Sequence, residues 1–170
     1  MYKPLTVNSY YPDLDKLEKD EYSAHFLSYA YASSHGELKA ILQYCYHALF
    51  FKSYGLNSIA DTLYSIAIAE MEHLSLLGTA LIKLGANPTY NETAFDKYNF
   101  FSTDCISFSN RADQMILDDI AEELSAVKTY DKLLKKLKNP TLLELVRQIK
   151  LDEELHLKTL NELFNSRAFL

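Results

Sequence analysis

The feature that most limits the fold of this chain is a helical repeat of apolar residues, which continues over long stretches. From about Tyr22 to Gly55, and again from Asn57 or Ser58 to Gly85, apolar residues recur every three or four positions, which is the spacing of one helix face. The C-terminal half repeats this pattern. Only four Gly and four Pro occur among 170 residues, whereas β-barrels and sandwiches need many turns. The sequence predicts an all-α fold of a few long helices.

Four long helices are predicted, and residues that favour helix ends or caps mark their boundaries. These residues are Gly55, Gly85, Ser109 or Asn110, Asn139 and Pro140. The second helix, which begins at Asn57 or Ser58, is expected to contain about 27 residues, or roughly 40 Å at the rise of an α-helix. Asn139 is a good N-cap and Pro140 suits the first helical position, so the fourth helix is expected to begin there.

Two segments lie outside the four helices. Residues 1–20 contain Pro4 and Pro12 and are expected to form an N-terminal arm, in which a short helix can begin at Asp13. Residues 86–109 have no clear period, and such a long connection is uncommon in a compact domain. A crossover between parallel helices 2 and 3 accounts for it. We therefore predict one domain, residues 1–170, which is a four-helix bundle with a long crossover between helices 2 and 3.

Comparison of the four helices reveals an internal repeat of glutamate and histidine. The first and third helices share a Glu-x-x-Ala pattern, and the second and fourth share Glu-x-x-His. The four members are Glu37-x-x-Ala40, Glu70-x-x-His73, Glu123-x-x-Ala126 and Glu153-x-x-His156. The glutamates of each half are separated by nearly the same distance along the chain. Two similar helix pairs, related by a pseudo-two-fold axis, would produce this pattern.

The four glutamates of the repeat all lie on the apolar stripes, where packing directs them inward. A buried carboxylate without a partner is very unfavourable, and four together repel one another. Two divalent cations would balance the four negative charges. Glu and His spaced three residues apart lie on one helix face, so both can reach a metal on the bundle axis. The pattern predicts a binuclear metal site, whose carboxylate and imidazole ligands suit Fe, Mn and Zn alike.

The other acids and histidines are interpreted as structural. Four glutamates lie off the stripes or beyond the ligand layer and are expected to face solvent: Glu72, Glu122, Glu154 and Glu162. Three histidines are not expected to bind metal: His25, His35 and His47. Tyr44 and Tyr130 each follow a stripe glutamate by seven residues. We expect both to be core residues whose hydroxyl groups bond a ligand carboxylate.

These motifs resemble the ferritin-like di-metal carboxylate superfamily, in which Glu and Glu-x-x-His ligands project into a four-helix bundle. The resemblance covers roughly residues 30–165, and the stretches GELKAILQY, AEMEHLSLLG and LDEELH are most similar to its rubrerythrin-related and manganese-catalase-like branches. It implies six metal ligands, which are Glu37, Glu70, His73, Glu123, Glu153 and His156. It also implies that Asp152 orients His73. Asp119, one turn before Glu123, is expected to orient His156 in the same way.

The resemblance implies an oxidoreductase with two metal ions per chain, most simply iron. The leading hypothesis is a di-iron protein of rubrerythrin type that reduces hydrogen peroxide, or handles dioxygen, in oxidative-stress defence. One alternative is a dimanganese catalase, which disproportionates hydrogen peroxide. Another is an iron-handling or structural bundle, such as a coat or assembly component. The chain has no CxxC pair, so a peroxide reductase would need a separate electron-donor protein such as a rubredoxin.

Charge and composition limit the partners. The formal net charge is −6, which argues against nucleic acid and anionic membranes as partners. No continuous apolar run approaches the roughly 18 residues of a membrane span, and the first sixteen residues contain no signal-peptide core. Cys45 and Cys105 give no disulfide framework. We expect a cytoplasmic protein and, from the resemblance, a homodimer.

Overall fold

A computed structural model describes residues 2–7, 10–92 and 99–167, which contain five α-helices and one short 3₁₀ helix. The α-helices are α1 Glu21–Ala32, α2 Glu37–Ser53, α3 Asn57–Lys83, α4 Ala112–Lys136 and α5 Pro140–Ser166, and the 3₁₀ helix is Thr103–Cys105. Helices α2 to α5 form the bundle, in which α2 packs mainly on α3 and α4 mainly on α5. Helix α1 packs against α3, α4 and α2. The predicted all-α four-helix bundle is confirmed.

The prediction of one continuous first helix is wrong, because the structure divides it into α1 and α2 at residues 33–36. The cause is a close approach of the chain to itself at Gly36. A Cβ atom on Gly36 would lie only 2.6 Å from the Ala30 carbonyl oxygen and 3.1 Å from the Ala32 nitrogen. Gly36 is also the N-cap of α2, so this close approach determines where Glu37 enters the bundle.

The other helix ends agree closely with the sequence. Gly55 and Gly85 follow α2 and α3 with φ angles of 77° and 89°, the left-handed conformation in which Gly ends helices. The side chain of Asn139 accepts hydrogen bonds from the backbone N–H groups of Thr141 and Leu142. Helix α4 begins slightly later than predicted, because Arg111 rather than Ser109 or Asn110 precedes its first residue.

Described residues of both segments outside the bundle contact the rest of the protein. The arm has a turn near Asp15 where a short helix from Asp13 was expected, and this turn places Leu14 and Leu17 in the core. The long connection between α3 and α4 contains an isolated antiparallel bridge between Asn91 and Phe100. Residues 93–98 of the connection lie outside the described residues.

The core consists of two apolar clusters with a buried polar layer between them. The first cluster includes Leu77 of α3 and Leu145 of α5, and the second includes Leu63 of α3 and Leu160 of α5. Along both helices, the residues between the clusters are the Glu-x-x-His pairs. The polar layer is therefore enclosed by apolar side chains along the bundle axis.

Helix α3 is long and apolar enough for a membrane span by length and composition, with a mean hydropathy of 1.3 in its most apolar window. Half of that window is buried within the protein, and the helix carries the fully buried Glu70 and His73. These polar groups need partners inside the bundle. We therefore interpret α3 as the central helix of the bundle, whose apolarity reflects burial among its neighbours.

Replacing Gly36 with Ala is expected to destabilise the fold by about 1–3 kcal/mol, the usual cost of overpacking, because the new methyl group meets rigid backbone atoms. The measurement is urea unfolding. Gly78→Ala is the control, since its φ is not positive and the new methyl group there meets the Tyr31 side chain, at 3.2 Å. A loss for Gly36→Ala no larger than that for Gly78→Ala would contradict the close-approach explanation.

Candidate metal centre

The structure brings all six predicted ligands together in the polar layer. Each bundle helix contributes one Glu, and α3 and α5 each add one His: Glu37 from α2, Glu70 and His73 from α3, Glu123 from α4, and Glu153 and His156 from α5. None of these residues is more than 4% exposed. The i, i+3 spacing in α3 and α5 places Glu and His on the same inward face.

The six side chains form two overlapping groups that could each hold a metal ion. Within each group, one ligand atom per residue lies within 4.8 Å of all the others. The groups are Glu37, Glu70, His73 and Glu153, and Glu70, Glu123, Glu153 and His156. Glu70 and Glu153 belong to both. These two residues could therefore contribute ligand atoms to both positions, while the other four would each contribute to one.

The two imidazoles face the shared glutamates through the same ring atom. His73 Nδ1 lies 3.0 Å from Glu70 Oε2 and 3.1 Å from Glu153 Oε1. His156 Nδ1 lies 2.9 Å from Glu70 Oε1 and 3.7 Å from Glu153 Oε2. The rings stack with centroids 6.1 Å apart and an interplanar angle of 30°. This arrangement gives the site the approximate two-fold symmetry expected from the sequence repeat.

Several buried ligand atoms of this cluster have no hydrogen-bond partner among the residues that the structure describes. They are Glu70 Oε1, Glu123 Oε2, Glu153 Oε1 and His156 Nδ1. His156 Nδ1 is close to Glu70 Oε1, but the geometry is not that of a hydrogen bond. Unpartnered polar atoms are rare in protein interiors and need an explanation. Divalent cations would satisfy all four, and four carboxylates with two imidazoles suit two such ions in both charge and ligand type.

The ionisation of the cluster reflects its excess of negative charge. Burial raises the pKa of Glu37 and Glu123, and the neighbouring carboxylate of Glu153 raises both further. Burial opposes the charged form of His73, but contacts with Asp152 and Glu153 outweigh it and raise the pKa of this imidazole. Without a metal, protons must therefore supply the positive charge that the carboxylates require.

The outer nitrogens of the two ligand histidines have different partners. His73 Nε2 lies 3.2 Å from Asp152 Oδ2, the contact implied by the family resemblance. His156 Nε2 lies 2.7 Å from the Leu5 carbonyl oxygen. The expectation that Asp119 would contact His156 is therefore wrong.

Asp119 instead joins α4 to α2. Its Oδ1 atom accepts a hydrogen bond from Gln43 Nε2 at 2.9 Å and lies 2.8 Å from His47 Nδ1. The physical reason is position: one turn before Glu123, the face of α4 that carries Asp119 packs against α2. His47, which the sequence indicated only as a structural residue, is fully buried and paired here.

Glu37 and Glu123 each belong to only one ligand group, and their carboxylates are called terminal here. A buried tyrosine from another helix forms a hydrogen bond with each of them. The Tyr44 hydroxyl donates to Glu123, and the Tyr130 hydroxyl donates to Glu37. Burial, and then the adjacent glutamate, raise the pKa of each tyrosine well above its usual value. Both hydroxyl groups therefore remain protonated donors that orient a ligand carboxylate.

Sequence reasoning missed an ion pair beside the site. Glu122 was expected to face solvent, but it is only 6% exposed and pairs with Lys39. The pair joins α4 to α2 next to Glu123 and Glu37. No spacing rule within one helix detects such a contact, because its partners are 83 residues apart. Three other glutamates are exposed as predicted: Glu72, Glu154 and Glu162. His25 and His35, which were not expected to bind metal, are exposed as well.

The thermal stability of the metal-free protein is expected to fall as the pH rises from about 5 to about 8. Four groups have raised pKa values in the folded state: Glu37, Glu123, His73 and His156. They bind more protons in the folded state than in the unfolded state. Their contribution to the free energy of unfolding is therefore complete below their unfolded pKa values, and it is lost as the pH rises through their folded pKa values. The pKa values of Glu70 and Glu153 are lowered in the folded state. These two residues therefore stabilise the folded state above their unfolded pKa, and this contribution is lost as the pH falls through their folded pKa.

Added metal is expected to raise the melting temperature more at pH 8 than at pH 5, because ligands bind metal in their deprotonated forms. Thermal melts with and without metal at both pH values provide the measurement. The double variant Glu37→Gln/Glu123→Gln, which removes two buried charges, should flatten the pH dependence of the metal-free protein. Metal-free wild-type protein that becomes more stable towards pH 8 would contradict this electrostatic account.

The fold and the sequence can be compared with known proteins. The sequence model of the ferritin-like domain matches residues 32–168. The manganese catalase KatB from Anabaena superposes with a TM-score of 0.81 at 20% identity, over 98% of this chain and 80% of KatB. A Rhodobacter capsulatus bacterioferritin superposes with a TM-score of 0.73 at 20% identity, over 88% of each chain. A search of curated proteins gives no match. The match to the domain model shows that this chain belongs to the ferritin-like family.

Proposed function

We propose that this protein is an oxidoreductase that acts on hydrogen peroxide at a binuclear metal centre, with iron as the metal. The observation that carries the proposal is the combination of six buried ligands with a gap beside them that has room for about one water-sized molecule. This gap is called the access gap below. Dioxygen is of similar size and remains the alternative substrate of the same site.

The access gap lies between α1, α2 and α4. Its volume is about 10 Å³, which is close to the room that one water molecule needs. Small residues of the lining keep it open: Ala30, Gly36, Ala40 and Ala126. Glu37, Glu123 and Glu153 also line the gap, so it reaches the ligand layer. Hydrogen peroxide is compatible with such a gap, whereas an organic substrate would require a larger pocket beside the metal ligands.

The gap also explains the first half of the sequence repeat. Ala40 and Ala126 follow Glu37 and Glu123 by three residues, so each alanine lies on the same helix face as a terminal glutamate. A larger side chain at either position would extend into the space beside the ligand layer. The Glu-x-x-Ala pattern therefore combines a metal ligand with the space needed for a small substrate.

Reduction of one hydrogen peroxide molecule to two water molecules consumes two electrons and two protons. Two redox-active ions, when bound close together at this site, would supply the two electrons for cleavage of the O–O bond. The six ligand side chains would hold these ions, and the Tyr44 and Tyr130 hydroxyl groups hold the terminal carboxylates in place. The apolar clusters on both sides limit water entry. A separate reduced protein would return the electrons after each turnover.

A dimanganese catalase is the second candidate, favoured by the likeness to the manganese catalase KatB over 98% of this chain. The same ligands suit manganese. Catalase disproportionates hydrogen peroxide to dioxygen and water and needs no electron donor. Oxygen evolution from peroxide alone therefore separates this candidate from a peroxide reductase.

The decisive experiment is elemental analysis of the protein purified from its native host, followed by peroxide assays. About two iron ions per chain, the number of overlapping ligand groups, together with donor-dependent peroxide consumption, would support the reductase. About two manganese ions with oxygen evolution would support the catalase. Neither metal after gentle purification, or large iron-loaded assemblies, would overturn the proposal in favour of a structural or iron-handling role.

Glu70→Gln is expected to lose most of the bound metal and most of the peroxide turnover, because it removes the charge of a shared ligand. His156→Ala should have the same effect through the loss of an imidazole. Metal-to-chain ratios and initial rates provide the measurement. Glu72→Gln, an exposed residue of the same helix, is the matched control and should behave as wild type. Full turnover in Glu70→Gln would exclude a reaction at this site.

Ala126→Val is expected to lower kcat/KM for peroxide several-fold without changing the metal content, because the added methyl groups narrow the access gap. Stopped-flow rates and metal analysis of the same samples test both statements. Ala121→Val is the control, since Ala121 is exposed on the same helix and the intrinsic helix cost of valine is the same. Equal kcat/KM values for the two variants would show that substrate does not pass Ala126.

A further inference from the structure

We infer that three residues of the N-terminal arm, Leu5, Val7 and Tyr11, are a structural part of the metal centre, because they hold the outer nitrogen of one ligand histidine directly and that of the other through Asp152. This inference rests on the metal-binding part of the proposed function. It concerns a segment that lies outside the helices and carries none of the six ligands.

The contact with His156 is direct. Its Nε2 atom lies 2.7 Å from the Leu5 carbonyl oxygen. A carbonyl oxygen can only accept, so Nε2 must carry the proton and donate it. In the neutral ring, the lone pair is then on Nδ1, the atom that faces Glu70. The Leu5 carbonyl thus selects the tautomer that a metal ion at this end of the site requires.

The contact with His73 is made through Asp152, which is 1% exposed. The carboxylate of Asp152 faces His73 Nε2 through Oδ2 at 3.2 Å. Both of its oxygens are held by the arm, since the Val7 N–H donates to Oδ1 at 2.6 Å and the Tyr11 hydroxyl donates to Oδ2 at 2.8 Å. The arm therefore fixes the orientation of the carboxylate that orients His73.

The arm is attached to the bundle on both sides of these contacts. The Leu5 N–H donates to the Ser65 carbonyl oxygen of α3 at 3.0 Å, and the Leu5 side chain packs on the second apolar cluster. Leu14 and Leu17 belong to the first apolar cluster. The described residues of the arm thus contact both apolar clusters, and the backbone of Leu5 is held in place where it meets His156.

Groups that orient metal-bound histidines typically contribute 10–100-fold to metal affinity. The arm supplies such a group for His156 and secures the one for His73. Loss of the arm contacts is therefore expected to weaken metal binding while the six ligands and the helices remain. This outcome would distinguish a part of the metal centre from a terminal segment that only covers the bundle.

The test uses Co(II) alone as the probe, with affinity measured by competition against a chromophoric chelator and the ligand field measured by visible absorption. Tyr11→Phe removes one donor to Asp152, and Val7→Pro removes the other. Each is expected to weaken Co(II) binding about 10-fold and to alter the visible spectrum. Tyr10→Phe is the matched control for Tyr11→Phe, since Tyr10 is 64% exposed, and should leave both readouts unchanged.

Two comparisons keep the result interpretable. Val7→Ala keeps the N–H group, so tighter binding by Val7→Ala than by Val7→Pro isolates the hydrogen bond from the loss of the side chain. Circular dichroism tests whether both variants keep the helices. Deletion of residues 1–7, which removes the Leu5 carbonyl and the Val7 N–H together, is expected to weaken binding more than either single substitution.

Glu70→Gln separates the failure of this inference from that of the proposed function. If Glu70→Gln binds Co(II) as tightly as wild type, the metal centre itself is refuted, and the role of the arm with it. If Glu70→Gln loses Co(II) but Tyr11→Phe and Val7→Pro keep the wild-type affinity and spectrum, the metal centre stands and the inference about the arm is overturned.

Discussion

The constraint on which this structure depends is the burial of four carboxylates in one layer of an apolar bundle. Such a layer is unstable by itself, because desolvation and mutual repulsion both oppose ionisation. Two imidazoles, two tyrosine hydroxyls and, in the proposed function, two cations offset this desolvation and repulsion. Each of these side chains must lie on a particular helix face and at a particular position along the bundle axis. The layer therefore constrains the positions of the four bundle helices α2 to α5, which carry its ligands, and the apolar clusters on either side stabilise that arrangement.

The bundle and its ligand layer could be predicted because both depend on spacing within single helices. Glu70 and His73 are three residues apart, and so are Glu153 and His156. This spacing places both side chains on one face of their helix, wherever the helix packs. The inward direction of Glu37 and Glu123 follows from the apolar stripe that each shares. Helix ends at Gly55 and at Asn139-Pro140 were also predictable, because local backbone geometry and capping determine them.

Contacts between distant segments could not be predicted in the same way. Lys39 and Glu122 form a buried pair, but neither residue carries a local signal that distinguishes it from a surface charge. The division between α1 and α2 depends on the close approach of Gly36 to Ala30, which exists only after the chain has turned. Asp119 lies on the same inward face as Glu123, as predicted. Its partners, however, are residues of α2, because α2 lies opposite this part of α4.

The outer contacts also break the symmetry that the sequence repeat suggests. His73 and His156 occupy equivalent positions in the two halves, but the first faces a carboxylate and the second a backbone carbonyl. A carboxylate partner makes an imidazole a more basic ligand than a neutral carbonyl does. The two ends of the site are therefore chemically different although their ligand types match. Asp152 directly precedes Glu153 in α5, whereas Ala69 occupies the equivalent position before Glu70 in α3. The helix pairs therefore supply a carboxylate to His73 alone, and the arm supplies a backbone carbonyl to His156 in its place.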